Sequence, residues 1–234
     1  MIAIYRRELS AYFNSAIAYV VLAVFFFFSG FFFINYCVGG NTTSLSYVYG
    51  SMFYIIMFLI PVLTMKTFSE EKRQKTDQAL LTSPTSLTEI VAGKFLGAFT
   101  IFGMCCSIFI IYAIVISFFA QPQWSVVLCT LLGVLLLGAA LIAINVFISS
   151  LTESMVVAAV IGMAVGLIID TMSYIISLIP VGWIADTVSK INFLNYYTNF
   201  TYGILSVVDV VFFLSVTALF LFFTVRVLEK RRWS

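Results

Sequence analysis

The residues best suited to specific interactions form one dense charged cluster in an otherwise apolar chain. Residues 70–73 read Glu-Glu-Lys-Arg. Charged side chains at this density are suited to ion pairs with a partner protein, a kind of binding that needs no reactive group. A helix-capable run follows and ends at Pro84, which cannot continue a regular helix without cost. A short run bounded by the charged cluster and by Pro84 predicts a rigid docking element, and an ordinary solvated loop is the alternative.

The candidate docking residues extend from this cluster to the proline. They are Glu70, Glu71, Lys72, Arg73, Thr76, Asp77, Leu80, Leu81, Ser83 and Pro84. Immediately afterwards, Ser86 and Glu89 have the spacing of a capping box. This pair predicts that the next helix begins here and runs directly into a long apolar segment.

Groups suited to catalysis are scarce in the sequence. The chain has no His, which removes the commonest general base and metal ligand. Its four cysteines lie in or beside apolar runs without CxxC spacing, which favours buried packing over metal or redox chemistry. Gly93-Lys94 lacks the earlier glycine and the following Ser or Thr of a phosphate-binding loop. The sequence therefore predicts no catalytic residue, no metal and no ATP site in this chain.

Composition indicates the fold class in which these residues must be positioned. Apolar residues make up 62% of the chain and charged residues 9%, against roughly 25% charged in soluble domains. Six apolar runs have the length of about 20 residues that crosses a bilayer. They lie near residues 16–37, 47–66, 95–119, 125–148, 155–179 and 207–226. We expect a single all-α integral membrane domain over residues 1–234, with the first run retained rather than cleaved as a signal peptide.

The distribution of basic residues predicts the orientation of these spans. All Lys and Arg residues except Lys190 fall on one side of a six-span topology. Cytoplasmic flanks retain such residues, so both termini should be cytoplasmic in the inner (plasma) membrane. The net charge of +2 then reflects topology and does not indicate nucleic-acid binding. On the outer side, residues 180–206 carry an amphipathic stripe from Trp183 to Ile191, which predicts a helix at the interface, either as a seal or for substrate handling.

Few polar residues lie within the predicted spans. Asp170 is the acidic residue placed well inside an apolar run, where insertion scales assign an ionised carboxylate a cost of about 2.5–3.5 kcal/mol. Gly162 and Gly166 precede it at four-residue spacing, which allows close helix approach. Asn145 in span four is a weaker candidate. We expect these residues to pack against another helix or a second subunit, with a place on a translocation path as the alternative.

Several motifs in order carry a resemblance to a known family. They include Glu-Glu-Lys-Arg at 70–73, Leu-Leu-Thr-Ser-Pro at 80–84, Glu-Ile-Val at 89–91, Gly-Lys-Phe at 93–95, Arg-Glu-Leu at 7–9, Ala-Tyr-Phe at 11–13, Phe-Ile-Ser-Ser-Leu-Thr-Glu at 147–153 and the basic stretch at 224–233. Their sequence resembles the type 2 ABC transporter permeases, most closely the gliding-motility branch. The match extends over the whole chain, which is more specific than any single motif.

The resemblance implies a type 2 ABC exporter permease fold of six transmembrane helices. Residues 1–14, with Arg6, Arg7 and Glu8, would form an amphipathic elbow helix; a simple positive-inside anchor is the alternative. Residues 67–94 would form the cytosolic coupling segment, with its coupling helix at 76–81. The chain departs from the family where Lys-Thr-Asp-Gln at 75–78 replaces Gly-Thr-Leu-Glu. Docking would then depend on Leu80 and Leu81 as a hydrophobic plug, surrounded by an exposed charged collar at 70–73.

The resemblance also implies the partners. Two copies of an ABC ATPase subunit would bind ATP and Mg, and a second permease subunit, identical or related, would complete the membrane part within the lipid bilayer. This chain would bind no cofactor itself. The alternatives are an ion- or proton-coupled carrier that uses Asp170 and a scaffold that anchors an ATPase without transport. A Phe-rich interior disfavours a wide hydrophilic pore and leaves lipids, lipid-linked glycans, amphipathic drugs or mechanical work as outputs.

Overall fold

Long apolar runs give a bundle of helices in the computed structural model, which describes residues 1–40, 42–76, 85–119, 121, 123–178 and 191–232. Within these residues the regular structure is helical throughout. In chain order the helices are α1 (Ile2–Phe13), α2 (Ala16–Phe33), α3 (Ser46–Thr64), α4 (Ser69–Arg73), α5 (Leu87–Cys106), α6 (Ile108–Ser117), α7 (Trp124–Leu151), α8 (Met155–Leu178), α9 (Phe193–Thr201) and α10 (Val207–Arg232). A π-helical turn, Ile34–Val38, continues α2.

Six helical segments are long and apolar enough to cross a membrane. They are Ala16–Val38, Ser46–Arg73, Leu87–Ser117, Trp124–Leu151, Met155–Met172 and Val207–Arg232, here called spans one to six. The predicted all-α fold with six spans is confirmed. Span four lies at the centre, because 72% of its apolar window is buried, whereas the figure is 22% for spans one and five and 17% for span six.

The third span begins earlier than its apolar run. Ser86 precedes α5, and its hydroxyl oxygen accepts a hydrogen bond from the Glu89 backbone N–H at 3.3 Å. Ser86 is therefore the N-cap, as predicted, and the helix starts at Leu87, eight residues before the run at 95–119. This extension places Lys94 on a formed helical turn. The last span likewise extends to Arg232, with basic residues in its final turn, where they complement the helix dipole.

Glycines on the central helix allow close packing. A Cβ atom at Gly138 would lie 2.0 Å from the Phe102 ring, and one at Gly133 would lie 2.5 Å from Phe200 Cβ. The rings of α5 and α9 thus rest directly on the backbone of α7. Small residues at such contacts bring membrane helices together where the hydrophobic effect cannot do so.

The segment after span five enters the bundle. Helix α9 buries Phe193, Tyr197 and Phe200; the Tyr197 hydroxyl donates to the Tyr49 carbonyl at 2.9 Å. The Thr130 hydroxyl donates to the Phe200 carbonyl at 2.9 Å. Most of the amphipathic stripe predicted within residues 180–206 lies outside the described residues; its last member, Ile191, is in a turn. The described part of this segment, α9, packs among spans two, four, five and six, and the predicted interfacial helix stays a prediction.

Candidate functional site

The N-terminal helix lies across the start of span three. Its buried residues Ile4, Glu8 and Tyr12 are four apart and share one face. A Cβ atom at Gly93 would lie 2.9 Å from the Ile4 side chain, and one at Gly97 would lie 3.0 Å from that of Glu8. Two glycines four residues apart on α5 therefore allow α1 to pack closely against this helix. The structure contains a helix where residues 1–14 were predicted to form the elbow.

The same contact brings a buried lysine against two carboxylates. Lys94 is 1% exposed, and its Nζ lies 3.0 Å from an Oε1 atom of Glu8 and 3.0 Å from that of Glu71. It also donates to the Thr67 carbonyl at 2.7 Å and lies 5.1 Å from the centre of the Phe68 ring. The Lys94 ammonium thus donates hydrogen bonds to Glu8 and to the Thr67 carbonyl and forms an ion pair with Glu71.

Arg7 completes this group, which we call the ion-pair cluster (Arg7, Glu8, Glu71 and Lys94). Its Nη2 donates to Glu71 at 2.7 Å and to Glu8 at 2.9 Å. The hydrogen bond with Glu8 raises the pKa of Arg7 despite the opposing effect of burial, and the charge of Glu71 adds to the rise. Two cations face two anions, so the cluster is neutral. It joins α1, α4 and α5, three elements that are distant in sequence.

Helix α4 is also fixed to the end of span four. The Ser149 hydroxyl oxygen accepts hydrogen bonds from the backbone N–H groups of Phe68 at 3.1 Å and Ser69 at 3.2 Å. The Lys72 ammonium donates to the Ser150 carbonyl. Ser149 thus satisfies two of the backbone N–H groups that the start of α4 leaves without a partner inside the helix. Sequence reasoning named this Ser-Ser pair only as part of a motif and assigned it no contact.

The charged collar predicted at residues 70–73 is only partly a collar. Lys72 is 6% exposed and Glu71 belongs to the ion-pair cluster, so the expectation of a fully exposed collar is wrong. The cause is local: α4 is a five-residue helix that lies against the bundle, and the side with Ser69 and Lys72 faces inward. Glu70 pairs with Lys66 at 3.8 Å and Arg73 is exposed. Of the four predicted collar residues, these two are therefore left at the surface to contact a partner protein.

The remaining predicted docking residues follow α4 in the chain. Lys75 has a positive φ of 56°, which ends α4 because the left-handed region cannot continue a helix. Thr76 is exposed, and its backbone N–H donates to the Glu71 carbonyl at 3.0 Å. Asp77, Leu80, Leu81, Ser83 and Pro84 lie outside the described residues. A cleft of about 430 Å³ lies beside α4 and is lined by residues including Arg7, Tyr12, Lys66, Glu71, Thr76 and Lys94.

The polar and small residues predicted to pack within the membrane, Asn145, Gly162, Gly166 and Asp170, lie in two separate places. A Cβ atom at Gly162 would lie 2.0 Å from Asn145 Oδ1, and one at Gly166 would lie 3.1 Å from the Met57 carbonyl oxygen. Gly162, Gly166 and Asn145 thus form one packed contact among spans two, four and five. Asp170 lies two turns beyond Gly162, about 12 Å along the helix, and is half-buried. The structure does not bring Asp170 and Asn145 together.

Replacing Gly162 with Ala tests this contact. The new methyl group would overlap Asn145 Oδ1, whose amide nitrogen is held by the Leu141 carbonyl at 2.9 Å. Overpacking of this kind costs about 1–3 kcal/mol, so the unfolding midpoint in detergent should fall. Gly103→Ala is the matched control, because nothing lies within 4 Å of a Cβ atom there. Equal midpoints for the two variants would contradict the packing role of Gly162.

Comparison with known proteins places this geometry in a family. A family model described as ABC-2 family transporter protein matches residues 38–228. The match includes spans two to five and most of span six, together with the residues that join α4 to span four and Glu71 to Lys94. No curated protein matches the chain significantly in sequence. The chain therefore belongs to the ABC-2 family of transporter proteins and is a membrane-embedded permease subunit of an ABC transporter, without an ATP site of its own.

Proposed function

We propose that this chain is the permease subunit of an ATP-driven exporter and that residues 67–94 couple it to a separate ATPase. The observation that carries the proposal is the attachment of α4. Side-chain contacts join this short helix to the elbow helix, to span three and to span four at once. Residues 77–84, which include the predicted plug, begin four residues after the end of α4.

The contacts of α4 are of the kind that transmits a displacement. Removing one partner from a buried ion pair costs about 3–5 kcal/mol, so a push on α4 moves the ion-pair cluster as a unit. Through Lys94 the displacement reaches span three, and through Ser149 it reaches span four. Closure of two ATPase subunits on ATP would in this way shift two spans relative to the rest of the bundle, as hinge and shear motions do in other proteins.

The composition of the complex follows from the same proposal. Two ATPase subunits, which hold ATP and Mg, would dock beneath two permease subunits, identical or related, in the plasma membrane. Both termini and residues 67–94 would face the cytoplasm. The half-buried Asp170 supports a second permease, because a carboxylate left facing lipid is costly and a neighbouring subunit would cover it. A gliding-motility relationship would make the output mechanical work on a surface protein rather than release of a free solute.

The proposal is tested by purifying the tagged chain from its native membrane and reconstituting the complex. We expect an ABC ATPase to co-purify and native mass measurement to give two permeases with two ATPases. The rate of ATP hydrolysis should differ between the complex and the isolated ATPase, because the permease gates the cycle. Transport driven by an ion gradient without an ATPase would instead support a carrier. A bound ATPase whose hydrolysis the membrane subunit leaves unchanged would support a scaffold.

A further inference from the structure

A polar cleft opens at the end of the bundle opposite the ion-pair cluster. It measures about 310 Å³ and lies between the start of span two and the start of span four. Its polar lining comes from Thr43, Ser44, Ser46, Gln121 and Gln123. These hydroxyl and amide groups both donate and accept hydrogen bonds, and no lining residue in the described part of the chain is charged. The cleft is therefore suited to an uncharged group rich in hydroxyls.

An apolar groove adjoins this cleft. It measures about 400 Å³ and is lined by Phe33, Cys37, Val38, Val115, Ile116 and Phe119, with Thr42 and Thr43 at its polar edge. Thr43 lines both spaces. The groove runs between the ends of spans one and three, where a membrane-embedded chain can enter from the side.

The π-helical turn at the end of span one shapes this junction. Its wide turn is closed by the Gly39 backbone N–H, which donates to the Ile34 carbonyl at 2.8 Å. The turn directs Cys37 toward the polar side, where its thiol donates to the Ser44 carbonyl at 3.8 Å. One residue of the apolar groove thus contacts one residue of the polar cleft. Irregular turns of this type in helices are frequent at functional sites.

We infer that the cleft and the groove form one binding site for a lipid with an uncharged, hydroxyl-bearing head, of the neutral glycolipid class. The head group lies in the polar cleft and one apolar chain lies in the groove. Each space falls in the range of about 300–1,000 Å³ that is usual for small-molecule sites. The absence of a cation among the described lining residues disfavours phosphate heads, which are bound through Arg or Lys. The assignment of this lipid as transported cargo rests on the proposed function.

Photolabelling in lipid nanodiscs tests the site on the assembled complex. The probes are monoglucosyldiacylglycerol and phosphatidylglycerol, each with the same diazirine-bearing acyl chain, and the adducts are mapped by peptide mass spectrometry. We expect the glucolipid to label residues 33–38 and 115–119, and unlabelled glucolipid, but not phosphatidylglycerol, to compete. Equal labelling by both probes, with no selective competition, would indicate ordinary annular lipid and overturn the inference.

Two variants with a matched control separate the groove from the cleft. Val115→Trp fills the groove and should reduce glucolipid labelling about tenfold, since a filled pocket excludes the chain. Ile114→Trp, at the neighbouring exposed position of α6 outside the groove lining, should leave it unchanged. Thr43→Val keeps the side-chain shape and should weaken competition by glucolipid roughly two- to tenfold, as loss of one hydrogen bond does. Equal labelling of Val115→Trp and Ile114→Trp would overturn the groove assignment.

The same samples distinguish this inference from the proposed function. ATPase binding is measured on each nanodisc preparation by pull-down. Selective labelling with the ATPase attached supports both proposals. If the ATPase binds but labelling is unselective, the lipid site is overturned and the permease role stands. If labelling is selective but no ATPase ever binds, the lipid site stands as a binding site, and both the coupling role and the assignment of the lipid as cargo are overturned.

Discussion

Replacing Lys94 with Met is expected to destabilise the purified protein by about 3–5 kcal/mol, the usual cost of breaking a buried ion pair by removing one partner. The ammonium of Lys94 is almost completely buried between Glu8 and Glu71. Without it, Arg7 would face both carboxylates alone. The thermal unfolding midpoint in detergent should fall, and helix α1 should become accessible to protease.

Lys66→Met is the matched control for this change. Lys66 is 31% exposed and pairs with Glu70 at 3.8 Å, and pairs of this kind contribute about 0–1 kcal/mol. Adding Glu71→Gln to Lys94→Met removes the excess negative charge and should restore part of the lost stability, as expected for residues within one network. If Lys94→Met and Lys66→Met proved equally mild, the ion-pair cluster would have no structural role.

Replacing Leu80 and Leu81 together with Ala is expected to release the ATPase from the permease. Hot-spot residues at interfaces cost about 2 kcal/mol or more each when truncated, so losing two of them weakens binding by about a thousandfold. The permease should still insert and unfold at its usual midpoint, because the predicted plug lies outside the six spans. The measurement is pull-down of the ATPase together with the unfolding midpoint of the permease.

Charge changes near the plug should act differently from one another. Arg73→Glu alters an exposed residue and should weaken ATPase binding modestly, with an effect that shrinks as salt is added. Lys72→Glu should destabilise the permease itself, because Lys72 is buried against the Ser150 carbonyl. Undiminished ATPase capture by the double-leucine variant would remove the docking role of residues 76–81.

The spans could be predicted from sequence because each is a local property. A run of about 20 apolar residues must cross the bilayer or be buried, whatever surrounds it. The capping pair Ser86 and Glu89 is equally local, and it fixed the start of α5 correctly. The positions that were less well predicted, such as the collar at 70–73, depend on which side of a five-residue helix meets the bundle, and no periodicity can emerge over so short a length.

The candidate site could not be predicted because its partners are far apart in the chain. Lys94 and Glu8 are 86 residues apart, and in the sequence Lys94 served for the topology and as part of a family motif, with no ion pair predicted for it. The glycines at 93 and 97 were the available indication, since small residues four apart on a helix predict a close neighbour. They do not identify that neighbour as the N-terminal helix. Likewise, the contacts of α9 with spans two and four were not predicted, because Tyr197 and Tyr49 are 148 residues apart and Phe200 and Thr130 are 70 apart.

The separation of Glu8 from Lys94 has a consequence for biosynthesis. Helix α1 is made before the segment that receives it: Lys94 is made 86 residues after Glu8, which takes roughly 4–17 s at 5–20 residues per second. During that interval the apolar face of α1 lies on the membrane surface, while spans one and two are inserted beside it. Helix α1 therefore docks only after the start of span three has been made, so it reaches its final position later than its place in the chain, ahead of spans one and two, would suggest.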